Sequence, residues 1–383
     1  MIMNKQIASF LNSFESQLKV MSPGRINFIG EHTDYNNGFV LPAAIDKKIT
    51  FSFRKSVSKT QCTILSTTYQ KLFTFSIDKI SIREATWENY IVGVVAEMQK
   101  IISGIGAFDC IIDSDLPLGS GVSSSAALEC GIAYGLNALF KLNLSTLQMI
   151  EISQRAEHEY VGTKCGIMDQ YAVMKSKEGA VLLLDCLINK HSYIEASFDP
   201  YVIVLLNTNV SHNLASSEYN TRREECEFVV NTIRKDSNNV SSLRDVTFLQ
   251  LQQYKDQLSK NHYERAAYVL EENERVLAAV ECLKTGNLKQ FGSLMYASHR
   301  GLQYQYDVSC PELDFLVDFS ETNKEILGSR MMGGGFGGCT INLIHKNAVD
   351  DFVKEASKAY KEKFGIALTS FVTVPSQGTS MYS

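Results

Sequence analysis

The chain has 383 residues, 45% hydrophobic and 21% charged, with a formal net charge of −5. Single cores stop growing at about 250 to 300 residues, so two domains and a sizeable core are expected. The charge is spread along the chain with no basic arm or acidic tail, which argues against nucleic acid as a partner.

Ile7, Phe10, Leu11, Phe14 and Leu18 fall at helical spacing, which predicts an amphipathic helix over a sheet edge or the nucleotide side of the core. The next stretch, 20–38, crowds Arg25, Asn27, Glu31, His32 and Asp34 between Gly24, Gly30 and Gly38. Alternation through 25–29 predicts a short strand whose polar side faces a cavity, followed by a loop where carboxylates and an imidazole converge. Such a set suits a polyhydroxylated ligand, because each sugar hydroxyl donates to a carboxylate and accepts from His or an amide. The alternative is a solvated loop with Asp34 and Asn36 in turn hydrogen bonds. His32 has no second His or Cys at ligand spacing, so a metal fits less well.

Val/Ile/Phe/Thr-rich runs predict several strands between Ile45 and Phe75, then a helix over 90–102 with Ile91, Val94, Val95 and Met98 inward. Residues 108–115 alternate as a strand, and Ala126, Ala127, Leu128, Ile132, Ala133, Leu136 and Leu139 recur as a helix. Between them stands Leu116-Pro117-Leu118-Gly119-Ser120-Gly121-Val122-Ser123-Ser124-Ser125, where a strand turns into a helix N-terminus. Glycines there let backbone approach a ligand, and first-turn amides with the helix dipole favour a phosphate. Ser123, Ser124 and Ser125 add donors and a candidate oxygen ligand for Mg²⁺. An ordinary loop with a Ser cap remains open. No Lys follows the glycines, so this is not a GxxxxGK[ST] loop.

Ser145 to Gln148 form a capping-box pattern opening a helix that carries Met149, Ile152, Ala156 and Tyr160 inward, with Glu157 by default on its solvated face. Asp169 follows a Gly-containing turn, as a helix cap or as an acid held in a cavity. The runs 179–185 and 201–208 are apolar enough for central strands, and a second domain is expected to begin there, dividing the chain into 1–178 and 179–383. A long helix is expected from 211, its N-terminal end toward the cleft. Residues 243–283 and 288–297 read as mostly helical around a Gly286-Asn287 turn, followed by a helix over 350–364 and a strand over 369–374. Met332 to Thr340 formally match GxGxxG, yet no apolar strand precedes the glycines and a strand rather than a helix follows. That leaves a loop packed against another loop or a ligand, or a hinge. The nine cysteines are scattered without a CxxC pair, as in reduced cores. With neither a signal-peptide pattern nor a long apolar run, the expectation is a cytoplasmic protein without a membrane partner, and a monomer is expected.

Together these stretches resemble the GHMP family of sugar kinases. Gly24-Arg25-Ile26-Asn27-Phe28-Ile29-Gly30-Glu31-His32-Thr33-Asp34-Tyr35 is similar to the signature of its galactose-phosphorylating members, Pro117 to Ala127 to its phosphate loop with Val122 where Leu is usual, and Gly333 to Gly338 to its third motif. Ala156-Glu157-His158, Cys165 to Gln170, Ser217 to Arg223 and Val308 to Asp314 match as well; Gly301 to Tyr306 departs, where the family more often carries Ser-Leu-Arg followed by acids. The resemblance implies an α+β architecture of two domains, an N-terminal mixed-sheet α/β domain and a C-terminal ferredoxin-like α+β domain, with the active site in the cleft between. It implies transfer of a phosphoryl group from ATP to the anomeric hydroxyl of galactose, with Mg²⁺. It also implies that Gly119, Ser120, Gly121, Val122, Ser123, Ser124 and Ser125 wrap the phosphates, Ser125 and Glu157 hold Mg²⁺, Glu31, His32, Asp34, Asp169 and Tyr219 hold the sugar, and Asp169 is the base with Arg25 its partner. Kinases for N-acetylgalactosamine or arabinose, or a sensor without turnover, share the pattern.

Overall fold

A computed structural model describes residues 5–84, 86–117, 119–211 and 215–382. Leu118 of the glycine–serine stretch and residues 212–214, at the expected start of the long helix, lie outside the described residues. The strand Leu18–Asn27 pairs antiparallel with Pro42–Lys55, from Leu18 opposite Phe53 to Asn27 opposite Pro42, with a register shift between Pro23 and Arg25. Gly24 sits at that shift, where a Cβ would lie 2.7 Å from Leu116 Cδ2 and 2.8 Å from the Val122 carbonyl oxygen. Only glycine lets the glycine–serine stretch lie so close, and the Arg25 amide donates to the Val122 carbonyl at 3.0 Å.

The sheet continues through Phe108–Ser114, Gln61–Ser66 and Lys71–Ser76; the Gln61–Ser66 pairing with Phe108–Ser114 is parallel and the others antiparallel. The helix Ser124–Phe140, apolar nearly all round, lies on this sheet. Gly131 and Gly135 face Phe51 and Phe53, whose rings occupy the space a Cβ would take. The helix Thr86–Ile101 buries Ile91, Val94, Val95 and Met98, as its spacing predicts.

A second antiparallel sheet runs in the order Ile326–Met331, Gly337–His345, Tyr201–Ser211, Thr369–Thr373. Helices Pro311–Glu321 and Val349–Phe364 supply the apolar cluster around Phe352 and Tyr360. The strand expected at 179–185 forms as Ala180–Asp185, in a three-stranded sheet between Phe39–Val40 and Lys190–Glu195. At the end of the chain, Pro375–Ser376 and Ser380–Met381 return to the first sheet.

Two expectations are corrected and one is refined. The first helix spans only Lys5–Asn12, because Leu18 is claimed by strand pairing; the Arg54 guanidinium stacks over Phe10 and Phe14 instead. Residues 243–283 are mostly helical as expected, divided into Phe248–Gln253 and Lys260–Thr285 with the short turns Leu243–Asp245 and Lys255–Gln257 before each, and Thr247 and Ser259 each cap a new start. A strand does precede the glycines: Ile326–Met331 makes a hairpin with Gly337–His345. Its sequence hid it, because Gly328, Ser329 and Arg330 interrupt the apolar run while all lie buried, with Arg330 paired to Glu31.

Candidate active site

The glycine–serine stretch makes its turn through left-handed backbone at Gly119, Gly121 and Ser123, with φ of 69°, 71° and 56°. Ser123 precedes the helix Ser124–Phe140, yet its hydroxyl makes no cap bond. It donates to Asp169 Oδ2 instead. The first-turn amides of that helix therefore remain without a side-chain acceptor from Ser123, and they open toward a cavity that the whole run Gly119 to Ser125 lines. A non-glycine residue in left-handed backbone costs on the order of 1 kcal/mol, which the Asp169 contact offsets.

Asp169 lies in the first turn of the short helix Met168–Lys175. Arg25 grips it with two parallel bonds, Nε to Oδ1 at 2.7 Å and Nη2 to Oδ2 at 2.8 Å, and its third nitrogen, Nη1, donates to the Gly121 carbonyl at 2.7 Å. Burial works against the Arg25 charge, but the Asp169, Glu31 and Asp34 carboxylates together more than offset it, so the guanidinium is held charged. One arginine thus ties the acid to the phosphate-type loop. Asp169 keeps 24% of its side chain exposed while Arg25 is 4% exposed, so the acid is the open member of the pair.

Two cavities meet there. The first, of about 310 Å³, is lined by Glu31, His32, Asp34, Glu157, Cys165, Gly166 and Tyr219, and the second, of about 350 Å³, by the loop and by Ser66, Tyr69, Trp87 and Tyr90. Arg25, Asp169, Gly333 and Gly334 line both. In the first cavity Glu31 Oε1 accepts from Arg330 Nη1 at 3.2 Å and from the Gly333 amide at 2.8 Å. Asp34 accepts from the Met168 amide at 3.3 Å, and Gly166 is obligatory there because a Cβ would sit 1.9 Å from Asp34 Oδ2. Burial, then Asp169, pushes the Asp34 carboxyl up to about 6. Burial pushes His32 down to about 3, so the imidazole is neutral. Its Nδ1 meets the Tyr35 hydroxyl at 2.8 Å and its Nε2 the Gly334 carbonyl at 3.2 Å. His32 therefore lines the cavity with both ring nitrogens engaged by protein. Tyr219 stands 5.1 Å from the His32 ring and packs over Gly334.

Glu157 opens a π-helical turn, Glu157–Val161, that ends the helix Thr146–Ala156, and it is buried rather than solvated. Such turns often re-aim side chains at functional sites. The nearby Ser125 hydroxyl favours the charged form of the Glu157 carboxyl, but burial, then Asp169, pushes it up to about 7. Gln170 Nε2 bridges Glu157 and the fully buried Glu129, at 3.0 and 3.2 Å. Glu129 Oε1 and Gln170 Oε1 have no partner. A hydroxyl beside a carboxylate is a hard-oxygen donor pair of the kind Mg²⁺ takes, and it fits a cation held mainly by phosphate oxygens, since no cluster of three acidic, His or Cys ligands exists among the described residues.

Sequence reasoning did not single out the aromatic wall of the second cavity. Trp87 is the only tryptophan in the chain and stands 5.2 Å from Tyr69, a rarity that could have flagged it. Arg330, fully buried behind Glu31, left no signal, because an arginine in a strand reads as surface.

Comparison with known proteins agrees with this geometry. Family models match as the GHMP kinases N terminal domain over 89–177, the galactokinase galactose-binding signature over 8–55 and the GHMP kinases C terminal over 279–362. The galactokinase of Thermotoga maritima is 41% identical over 351 residues, 92% of this chain and 96% of that protein. The galactokinase of Clostridium perfringens is 38% identical over 97% of both. Among solved structures, Lactococcus lactis galactokinase complexed with galactose superposes with a TM-score of 0.92 at 31% identity, covering 97% of this chain and 98% of that one. Methanococcus jannaschii mevalonate kinase shares the fold alone, with a TM-score of 0.65 at 17% identity over 95% of this chain and 100% of that one. A fold shared with other GHMP kinases, a sugar signature built around Arg25 and Asp34, and close relatives along nearly the whole length together place this chain in the galactokinase branch of the GHMP kinase family.

Proposed function

We propose that this chain transfers the γ-phosphoryl group of ATP to the C1 hydroxyl of α-D-galactose, giving galactose 1-phosphate and ADP. The observation that carries the reading is the junction of the two cavities at Asp169 and Arg25. The sugar takes the first cavity, with Glu31, Asp34 and Asp169 accepting from its hydroxyls and the His32 and Tyr219 rings closing the wall. Gly119 to Ser125 wrap the phosphates, and the base lies between Tyr69, Trp87 and Tyr90.

In a loose phosphoryl-transfer transition state the protein mainly positions reactants and balances charge. Asp169 is rigidly aimed by Arg25 and Ser123, so it accepts the proton of the C1 hydroxyl as the oxygen attacks. Arg25 and the loop amides sit where charge develops, at no cost in reorganisation. Ser125 and Glu157 would hold Mg²⁺ at the phosphates, where the bound cation screens the charge of the transferring group. The division into 1–178 and 179–383 belongs to the same proposal, supported by family matches over 89–177 and 279–362.

Incubation of the purified protein with ATP, Mg²⁺ and a panel including galactose, N-acetylgalactosamine and arabinose tests the reading by detection of sugar phosphate. Galactose 1-phosphate is expected as the main product. Absence of any sugar phosphate overturns kinase activity, and preference for another sugar overturns the substrate.

A further inference from the structure

Four side chains from three separated segments form a chain that ends on the glycine hairpin. Gly334 offers His32 Nε2 a carbonyl oxygen at 3.2 Å, and a carbonyl can only accept, so Nε2 carries the proton. The neutral imidazole then presents a bare Nδ1, which must accept from the Tyr35 hydroxyl at 2.8 Å. Having spent its proton, Tyr35 accepts from the Tyr306 hydroxyl at 2.7 Å. Tyr306 in turn accepts from the Cys226 thiol at 3.2 Å. One carbonyl thus fixes every donor, from Cys226 in the helix Ala215–Arg234 through to the hairpin tip. Cys226 and Tyr306 are buried, so water does not compete for the chain's far end. His32 itself adopts left-handed backbone, with φ of 62°, a conformation tolerated where surrounding contacts over-determine it.

We infer that His32 is a positioning residue rather than a hydrogen-bond ligand of the sugar: aligned by Cys226, Tyr306 and Tyr35, it holds the Gly334 carbonyl and with it the backbone wall between the two reactants. The adjacent residue does the same at the next link, since Glu31 Oε1 accepts from the Gly333 amide at 2.8 Å. Gly333 and Gly334 line both cavities, so a displacement of this wall alters the approach of phosphorus to oxygen without removing a contact to either reactant alone.

This inference rests on the phosphoryl-transfer reading, and its test separates the two. Nitrogen NMR of the His32 imidazole in the intact wild-type protein reads the tautomer without any turnover; a protonated Nε2 and bare Nδ1 are expected, and a protonated Nδ1 overturns the chain. In Tyr35→Phe, kcat should fall by about ten- to a hundredfold, the upper figure being what a misplacement of about 1 Å can cost, while KM for galactose and for ATP stays within about threefold. Cys226→Ser keeps a donor and should keep wild-type kcat. An unchanged kcat in Tyr35→Phe, or a loss confined to KM, overturns the positioning role. Where circular dichroism shows that Tyr35→Phe fails to fold, Tyr306→Phe, one link further out, is read by the same criterion. Wild-type protein with the expected tautomer but no sugar phosphate would overturn the functional reading alone.

Discussion

Asp169 is an acceptor whose position is fixed from three sides: Arg25 on both oxygens, Ser123 on one, and a helix first turn beneath it. Replacement by Asn puts an amide against the Arg25 fork and, in the proposed mechanism, removes the proton acceptor. Asp169→Asn should therefore lower kcat by on the order of 10² to 10⁴-fold with a modest change in galactose KM, read by steady-state kinetics. Wild-type turnover would remove Asp169 from the mechanism. Asp34 carries a different signal. Its carboxyl titrates near 6 in the fold because burial and then the Asp169 charge disfavour ionisation, against about 4 in an unfolded chain. The folded state therefore binds the proton more tightly. The resulting stabilisation is complete below about pH 4 and is lost as pH rises through about 6. Melting of the ligand-free protein should show a loss of stability over that window that is smaller in Asp34→Asn; an identical pH slope in both would place the cause elsewhere. The carboxylate-rich loop at 25–34 was legible in the sequence because polar residues rarely crowd beside a strand. That His32 spends both nitrogens on protein was not, since Tyr35 is near in sequence but Gly334 is not.

Elements meet at this site through glycines that allow close approach. The helix Ser124–Phe140 carries the first-turn amides, and it can lie on the sheet only because Gly131 and Gly135 make room for Phe51 and Phe53. A Cβ at Gly131 would lie 2.1 Å from Phe51 Cε2. Alanine would gain about 1 kcal/mol of helix propensity, but overpacking a fully buried ring costs about 1 to 3 kcal/mol or more. Gly131→Ala should accordingly lower the urea midpoint, and a raised midpoint would show that the helix shifts freely on the sheet. The helix Thr86–Ile101 brings Trp87 to the wall of the second cavity. Since Trp87 is the only tryptophan, its fluorescence should change on titration with a non-hydrolysable ATP analogue and stay constant with galactose. A response to galactose alone would mean that the base does not lie there.

At the scale of the whole molecule, the junction of the two cavities depends on contacts far apart in the chain. Phe28, Phe198 and Phe291 cluster with centroids 5.2, 5.8 and 6.3 Å apart, in one core that also takes Cys339 and Ile341 of the second sheet. The last residues close the first sheet against Leu18–Asn27. With so much core in common, the two sheets should unfold together: denaturation followed by Trp87 fluorescence and by far-ultraviolet circular dichroism should give coincident transitions. Separate transitions would show that the halves hold independent cores.

The sequence by itself determined the local chemistry. Spacing and glycine placement gave the glycine-rich turn into a helix start, the polar stretch with its carboxylates and most helices and strands, because these depend on propensities and periodicities within a few residues. Tertiary structure decided which polar residues act together. Arg25 finds Asp169 across 144 positions, Arg330 finds Glu31 across 299 and His32 finds Gly334 across 302. It also turned Glu157 inward and hid a strand around a buried arginine. Burial and pairing are properties of what the fold brings alongside a residue, and no window of neighbouring residues contains them.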